Sequence, residues 1–213
     1  MGRLRQEVIN ISHLSPILIY VYTYLNATRL NLYGEIKLLE PIYRKIGITG
    51  SRSIDFKVKR EINIFISLLE PDRDVIVCGG ARGIDKYVIE KCWERKVGVI
   101  IVRPKIEGSL VSENRTLLVG LYIEGVKIFK SSFLERNRII VELSNMLVFF
   151  KGEAKSGSMS TAWWAIETGK QVYINGAFSE EDRGYGGNKL LLKKGCQKAD
   201  ILYYQLEGSS QSV

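Results

Sequence analysis

The sequence contains few of the residues on which disulfide frameworks, metal sites and histidine-based catalysis depend. Its 213 residues include three cysteines and one histidine. Cys78, Cys92 and Cys196 match neither a metal-binding spacing nor an even-numbered disulfide framework, so we expect reduced thiols in a cytoplasmic protein. The single histidine, His13, leaves no histidine-based catalytic arrangement to consider, and we expect neither a metal nor a cofactor.

The sequence also lacks an apolar run long enough to cross a membrane. The run in "SPILIYVYTYLN" has about ten apolar residues, against the roughly 20 that a membrane helix needs. Arg3 and Arg5 precede it, but no small-residue cleavage site follows, so it is not typical of a signal peptide. We therefore expect residues 1–28 to be an N-terminal extension of unknown role and residues 208–213 to be a flexible tail.

Acidic residues are fewer than basic ones. There are 23 Asp and Glu against 31 Lys and Arg, which gives a net charge of +8. An excess of this size favours a polyanionic partner.

Short β-branched segments alternate with longer amphipathic ones along residues 29–207. This alternation predicts one α/β domain with a mostly parallel sheet and helices on both faces. The expected strands are residues 45–49, 74–78, 97–102, 126–129, 146–150, 171–174 and 201–204. The expected helices are residues 55–69, 84–95, 112–125, 133–145 and 158–169.

The turns that follow the expected strands carry cations, hydroxyls and glycines. Ligands of such sheets bind at the carboxyl ends of the strands, where these turns meet. Glycine turns let backbone N–H groups approach a ligand, and arginines add positive charge, so the sequence predicts a phosphate site there. Its candidate residues are Gly50, Ser51, Arg52, Gly79, Gly80, Arg82, Arg103, Lys105, Lys130, Lys151, Lys155, Ser156 and Ser158.

These motifs resemble those of the DNA-processing protein family DprA, also called Smf. "LYGEIKLLEPIYRKIGITGSRS" and "GGARGID" are similar to the family's stretches ending in "GSR" and "GID". The resemblance is most specific in "FLERNRIIVELS" and "EAKSGSMSTAWWA", and it ends with "GGNKLLLKKGC". Leu134 and Asn175 stand where the family usually has proline, which are changes in loops.

The resemblance implies a Rossmann-like, doubly wound domain that binds single-stranded DNA and forms a homodimer. It also implies a mediator of recombination that protects the strand and helps to load a RecA- or RadA-type recombinase. Carried over residue by residue, the phosphate-facing positions are Ser51, Arg52, Gly80, Arg82, Arg136, Asn137, Ser156, Gly157, Ser158 and Thr161.

Several alternative functions remain at this stage. The same pocket suits a sensor of free nucleotides, and the apolar N-terminal segment suits a scaffold that pairs with itself or with a recombinase. A phosphoribohydrolase of the related LONELY GUY type is disfavoured, because Trp164 occupies the position of its glutamate and an indole cannot act as a base. The motif "GITGSRS" is not the G-x-G-x-x-G of a dehydrogenase.

Two carboxylates and two indoles have ordinary structural explanations. We expect Asp85 to cap the helix that begins beside it and Glu153 to pair with Lys151 or Lys155. Trp163 and Trp164 lie within a helix, so we expect them to pack in the core. The sequence therefore predicts a binding protein without catalytic activity.

Overall fold

The computed structural model describes residues 30–106, 115–122, 125–175, 178–179 and 181–210. The predicted extension at residues 1–28 lies outside these ranges. The described strands are β1 (Asn31–Gly34), β2 (Arg44–Thr49), β3 (Asp74–Cys78), β4 (Gly98–Lys105), β5 (Thr116–Tyr122), β6 (Met146–Phe149), β7 (Gln171–Ile174) and β8 (Gln197–Lys198). The described helices are α1 (Phe56–Ser67), α2 (Ile84–Glu94), α3 (Lys130–Leu143), α4 (Gly157–Glu167), α5 (Gly186–Lys193) and α6 (Ala199–Ser210), with a 3-10 helix at Ile36–Leu39.

The strands form one eight-stranded sheet in the order β1-β5-β4-β3-β2-β6-β7-β8. All neighbours pair in parallel except β1, which runs antiparallel to β5 at one edge. From β2 the chain winds outward first through β3, β4 and β5 and then, on the other side, through β6, β7 and β8. This doubly wound order confirms the predicted fold class, and it places a topological switch point beside β2.

Side chains of the parallel strands alternate between two buried faces. On one face, Ile76 and Ile101 pack in a cluster with residues of α1, α2 and α6. On the other face, Val77 and Ile100 pack against α3 and the 3-10 helix, and a third cluster joins β6 and β7 to α4 and α5. Because both faces are covered, the strands are nearly continuously apolar, as is usual for parallel sheets.

Three predicted elements are wrong. Residues 116–122 form β5 and not a helix, residues 126–129 form no strand, and residues 201–204 belong to α6 and not to a strand. A continuous apolar run fits a strand buried on two faces as well as a buried helix, so periodicity cannot separate them. The helix α6 also continues through Ser210, into the segment that we expected to be a tail.

A buried ion pair ties together the amino ends of β2 and β3. The Asp74 carboxylate is fully buried and binds Arg44 through Nε–Oδ1 and Nη2–Oδ2 contacts of 2.6 and 3.0 Å. It also accepts the N–H of Glu70 at 2.8 Å. This pair lies at the amino ends of the strands, whereas the predicted phosphate site lies at their carboxyl ends.

Candidate nucleic-acid interface

A cavity of about 660 Å³ opens beside the carboxyl ends of β2, β3 and β4. It is lined by the segments Arg52–Ser53, Gly79–Arg82 and Arg103–Lys105, together with Ile128, Phe133 and Arg136. The sheet order explains this convergence, because neighbouring parallel strands deliver their following loops to one edge. Of the predicted site residues, the cavity brings together Arg52, Gly79, Gly80, Arg82, Arg103, Lys105 and Arg136.

The loops after β2 and β3 are fastened to each other through their backbones. The N–H of Ile84 donates to the carbonyl of Ser51 at 3.1 Å, and the N–H of Ser51 donates to the carbonyl of Lys151 at 2.7 Å. Gly83 has φ +91°, and a Cβ there would lie 2.4 Å from the Arg52 carbonyl group. Only glycine permits both this conformation and this approach, which hold the "GSR" and "GGARG" turns side by side.

Asp85 stabilises the glycine turn between β3 and α2 by hydrogen bonds to its backbone. Its buried carboxylate accepts the N–H groups of Gly79 and Ala81 at 3.1 and 3.2 Å. The expectation that Asp85 caps α2 is therefore wrong: its hydrogen bonds go to the loop that precedes the helix. Because the carboxylate satisfies these two donors, the turn keeps a fixed shape beside the cavity.

Arg136 extends from α3 into the cavity and packs on the same turn. A Cβ on Gly79 would lie 1.3 Å from Arg136 Nη1, so the guanidinium occupies the space that any larger residue would fill. Burial lowers the pKa of Arg136, and the nearby Asp85 opposes that effect. Arg136 Nε is buried without a hydrogen-bond partner among the described residues.

The cavity lining is strongly cationic. Arg52, Arg82, Arg103, Lys105 and Arg136 all contribute to it, and none of the described carboxylate side chains does. Nor do the described ion pairs include any of the four arginines. A cavity with this lining attracts anions.

The other predicted site residues lie outside this cavity lining, and several of them bond to one another around the start of α4. Asn137 Nδ2 donates to Ser160 Oγ at 2.8 Å, and the hydroxyls of Ser156 and Ser158 are 2.7 Å apart. Thr161 is buried within α4, whereas Lys155 is exposed. The residues of the predicted phosphate site therefore fall into two groups, one in the cavity and one around the start of α4. Gly50, Ser51 and Gly157 also lie outside the lining.

The loop after β6 is held by contacts that the sequence did not reveal. Lys151 Nζ lies 2.6 Å from Asp55 Oδ2 and above the ring of Tyr185. None of the described ion pairs includes Glu153, so its expected pair with Lys151 or Lys155 is wrong. The buried Asn188 accepts the N–H of Gly152 at 3.1 Å and donates to the carbonyl of Phe150 at 2.9 Å. The asparagine of the "GGN" motif is Asn188, so the motif was the sequence feature that could have predicted these hydrogen bonds.

The expected core packing of the two indoles agrees with the structure. Trp163 and Trp164 are half-buried and pack against the cluster of α4, α5 and the neighbouring strands. The Arg138 guanidinium lies 4.4 Å from the Trp164 ring centre.

Burial of Asp85 predicts a particular pH dependence of stability. Burial raises the pKa of Asp85 above its ordinary value of 3.8, although the N–H of Ala81, the charge of Arg136 and the N–H of Gly79 oppose it. The folded protein thus binds a proton at Asp85 more readily than the unfolded chain does. The contribution of this group to the free energy of unfolding is therefore greatest below 3.8 and falls as pH rises through the folded pKa. Relative to the wild type, Asp85→Asn should gain stability as pH rises from about 4 to about 7, measured by urea unfolding.

Asp182→Asn is a control of opposite sign. The N–H of Ser179 and the Lys57 ammonium lower the pKa of the exposed Asp182, so its stabilising effect is present above 3.8 and is lost as pH falls. The Asp182→Asn variant should accordingly approach the stability of the wild type as pH falls below 3.8, and its difference from the wild type should stay nearly constant between about 4 and about 7. A constant difference between Asp85→Asn and the wild type across this range would contradict the effect of burial.

The described part of the chain contains neither a membrane-spanning helix nor a metal-binding cluster. None of the helices described there has the length and apolar character needed to cross a membrane. Within the same ranges, no group of three or more His, Cys, Asp or Glu side chains is placed to hold a metal ion.

The fold and the cavity together define a Rossmann-like α/β protein with a cationic cavity at the carboxyl edge of its sheet. Residues 23–204 match the family model described as DNA recombination-mediator protein A. The chain belongs to this family, as its motifs led us to expect.

Individual relatives agree with this assignment. The DNA processing protein DprA of Bacillus subtilis is 33% identical over 150 residues, which are 66% of this chain and 50% of that protein. The structure of DprA from Streptococcus pneumoniae has a TM-score of 0.70 at 26% identity and covers 79% of this chain and 62% of that one. The chain thus spans about half the length of the curated relatives it matches.

A second solved structure is similar over more of its length. DNA processing protein A from Helicobacter pylori, whose structure concerns its mode of binding single-stranded DNA, has a TM-score of 0.73 at 25% identity. The match covers 86% of this chain and 88% of that one.

Proposed function

We propose that this protein binds single-stranded DNA at the cavity beside β2, β3 and β4 and acts as a binding protein and not as an enzyme. The observation that carries the proposal is the cavity lining, in which the described residues supply five cationic side chains and no carboxylate. The DNA-binding relative from Helicobacter pylori supports the choice of ligand. A phosphate backbone is the polyanion that such a lining suits best.

In this proposal, Arg52 and Arg82 bind phosphate oxygens through charge-assisted hydrogen bonds. In the same proposal, backbone N–H groups of the "GGARG" turn complete the contacts to the phosphate. Phe133 and Ile128 line the cavity and offer apolar contact to a base. Because phosphate contacts carry no sequence information, the sequence preference is weak.

The second group of predicted residues serves as a further phosphate contact in the same proposal. The start of α4 presents backbone N–H groups to the carboxyl side of the sheet, and Lys155 is exposed beside them. Helix N-termini of this kind attract phosphates. Gly50, Ser51, Asn137, Ser156, Gly157, Ser158 and Thr161 stay predictions for this role.

Salt dependence tests the proposal directly. With three to five phosphates neutralised, log Kobs for an internally labelled oligo(dT) strand should fall with log salt at a slope of about −2 to −3.5. Affinity should then drop roughly 20- to 130-fold between about 50 and 200 mM salt, which fluorescence anisotropy measures. Failure to bind the strand at about 50 mM salt would overturn the proposal.

A sensor of free nucleotides is the second candidate. The observation in its favour is the cavity volume of about 660 Å³, which accommodates a small-molecule ligand. Adding dTMP to the anisotropy experiment separates the two functions. Displacement of the strand by dTMP at comparable concentration would favour the sensor, whereas strand binding that resists excess dTMP would favour DNA.

The protein's partners form the finer part of the proposal. We propose a homodimer that protects the strand and assists a RecA- or RadA-type recombinase, on the basis of the family to which the chain belongs. Light scattering on the purified protein tests the dimer. Recombinase filament assembly on strands coated by a single-strand-binding protein, with and without this chain, tests the mediator role.

A further inference from the structure

The cavity holds more positive charge than one phosphodiester group can neutralise. A phosphodiester carries a single negative charge, whereas five cationic side chains line this space. Arg103 and Lys105 supply two of them from the end of β4. This excess suits either several phosphodiester groups of one strand or one group of higher charge, and the packing of the arginines distinguishes the two.

Two of the arginines are packed on adjacent glycines. The guanidinium of Arg136 fills the space beside Gly79, and Arg103 Nη2 lies 3.3 Å from the position of a Cβ on Gly80. Arg103 Nη2 also lies 3.5 Å from the Gly80 carbonyl oxygen. The two guanidiniums are therefore positioned against the turn and are not free to spread into solvent.

Their proximity is electrostatically unfavourable without an anion. Burial lowers the pKa of Arg136, and the charges of Arg103 and Arg52 lower it further. Among the described carboxylates, Asp85 is the one whose charge opposes this effect at Arg136. The buried Nε of Arg136 also lacks a hydrogen-bond partner among the described residues.

A terminal phosphate is the group that matches this arrangement. A phosphomonoester carries about −1.5 to −2 charges at neutral pH and has three strong acceptor oxygens. Several arginines can therefore donate to it at once, whereas a phosphodiester offers two non-bridging oxygens that share one charge. Arginine forks are suited to such shared contacts.

We propose that the cavity recognises a terminal phosphate, with Arg103 and Arg136 as the residues that distinguish it from an internal phosphodiester. The proposal rests on the strand-binding function above and specifies the end of the strand as the preferred ligand. A free nucleotide carries the same chemical group and is the other possible source.

Three otherwise identical oligo(dT) strands test the proposal: one with a 5′-phosphate, one with a 3′-phosphate and one with hydroxyl ends, each labelled internally. At about pH 7.5, one phosphorylated strand should bind about tenfold or more tightly than the hydroxyl strand, since charge-assisted hydrogen bonds have this strength. Arg103→Gln should reduce this ratio to near one. Arg73→Gln, which removes the same charge at the opposite edge of the sheet, should leave the ratio unchanged.

The pH dependence of the ratio gives a signature that a structural defect would not produce. The second pKa of a phosphomonoester is about 6, so lowering the pH to about 5.5 removes much of its second charge and should reduce the preference. The ionisable groups that face the turn are Arg52, Arg82, Arg103, Lys105, Arg136, Asp85 and Cys78. A change in the charge of any of these groups affects the binding of all three strands, whereas protonation of the terminal phosphate affects only the phosphorylated strands.

Each outcome separates this inference from the proposed function. Equal affinities for all three strands, together with no shift of the melting temperature by dTMP, overturn the terminal-phosphate inference and leave strand binding intact. If the protein also binds none of the strands, both proposals are overturned. If dTMP, but not thymidine, raises the melting temperature and Arg103→Gln abolishes that shift, the terminal phosphate is recognised. Equal affinities for the three strands in that case identify the free nucleotide as its source.

Discussion

The double variant Arg52→Ala/Arg82→Ala should bind an oligo(dT) strand about a hundredfold or more weakly than the wild type at about 100 mM salt. Each arginine contributes a charge-assisted hydrogen bond, and such bonds each contribute about 1.5–3 kcal/mol. Both side chains line the cavity and are exposed to solvent, so their removal leaves the packed core intact. The slope of log Kobs against log salt concentration should also become shallower by about 1.4, which corresponds to the loss of two phosphate contacts on a single strand.

The variant Arg73→Ala/Arg95→Ala is a matched control. It removes two positive charges at the amino ends of β3 and β4, far along the strands from the cavity. Its affinity should stay within about threefold of the wild type, because exposed charges beyond a Debye length are screened. Equal losses in the two double variants would indicate nonspecific attraction by net charge, and unchanged affinity in the cavity variant would exclude the cavity as the binding site.

Replacing Arg44 by methionine should lower the free energy of unfolding by about 3–5 kcal/mol. Asp74 is fully buried, and both oxygens of its carboxylate bind the Arg44 guanidinium. In Arg44→Met the carboxylate keeps the N–H of Glu70 but loses its counter-ion, and a buried charge without its partner is costly. Urea unfolding monitored by circular dichroism measures the change.

A neighbouring arginine provides the control for this effect. Arg73 lies 3.7 Å from Glu70 in an exposed ion pair, so Arg73→Met should change stability by less than about 1 kcal/mol. The double variant Arg44→Met/Asp74→Leu should regain part of the loss, because both buried charges are then absent. A loss below about 1 kcal/mol for Arg44→Met alone would contradict the assigned role of the pair.

The sequence predicted secondary structure correctly where local residues alone determine the conformation. The segment "DVIVC" was predicted as a strand over residues 74–78 and has these bounds in the structure. The helix α1 begins where Asp55 accepts the N–H of Val58, and its apolar residues Val58, Ile62 and Ile66 recur at helical spacing on its buried side. Local capping and periodicity suffice for such elements.

The errors arose where tertiary contacts decide between two conformations. In β5, Leu117 and Leu118 are both buried but on opposite faces of the sheet. Their run of apolar residues carries no period that excludes a helix, and pairing with β4 is what makes it a strand. Asp85 shows the same limit for a side chain, because its partners are N–H groups of a loop whose path only the folded chain defines.

The sequence by itself determined the α/β class, the doubly wound order implied by the family motifs, and the positive charge of the turns. Local propensity, hydrophobic alternation and motif spacing are properties of contiguous residues and can be read along the chain. The tertiary structure decided which of the turns share a cavity. It placed Arg103 and Arg136 with Arg52 and Arg82, and it left the α4 residues outside the lining. Such grouping depends on strand order and on contacts between distant residues, which no local pattern encodes.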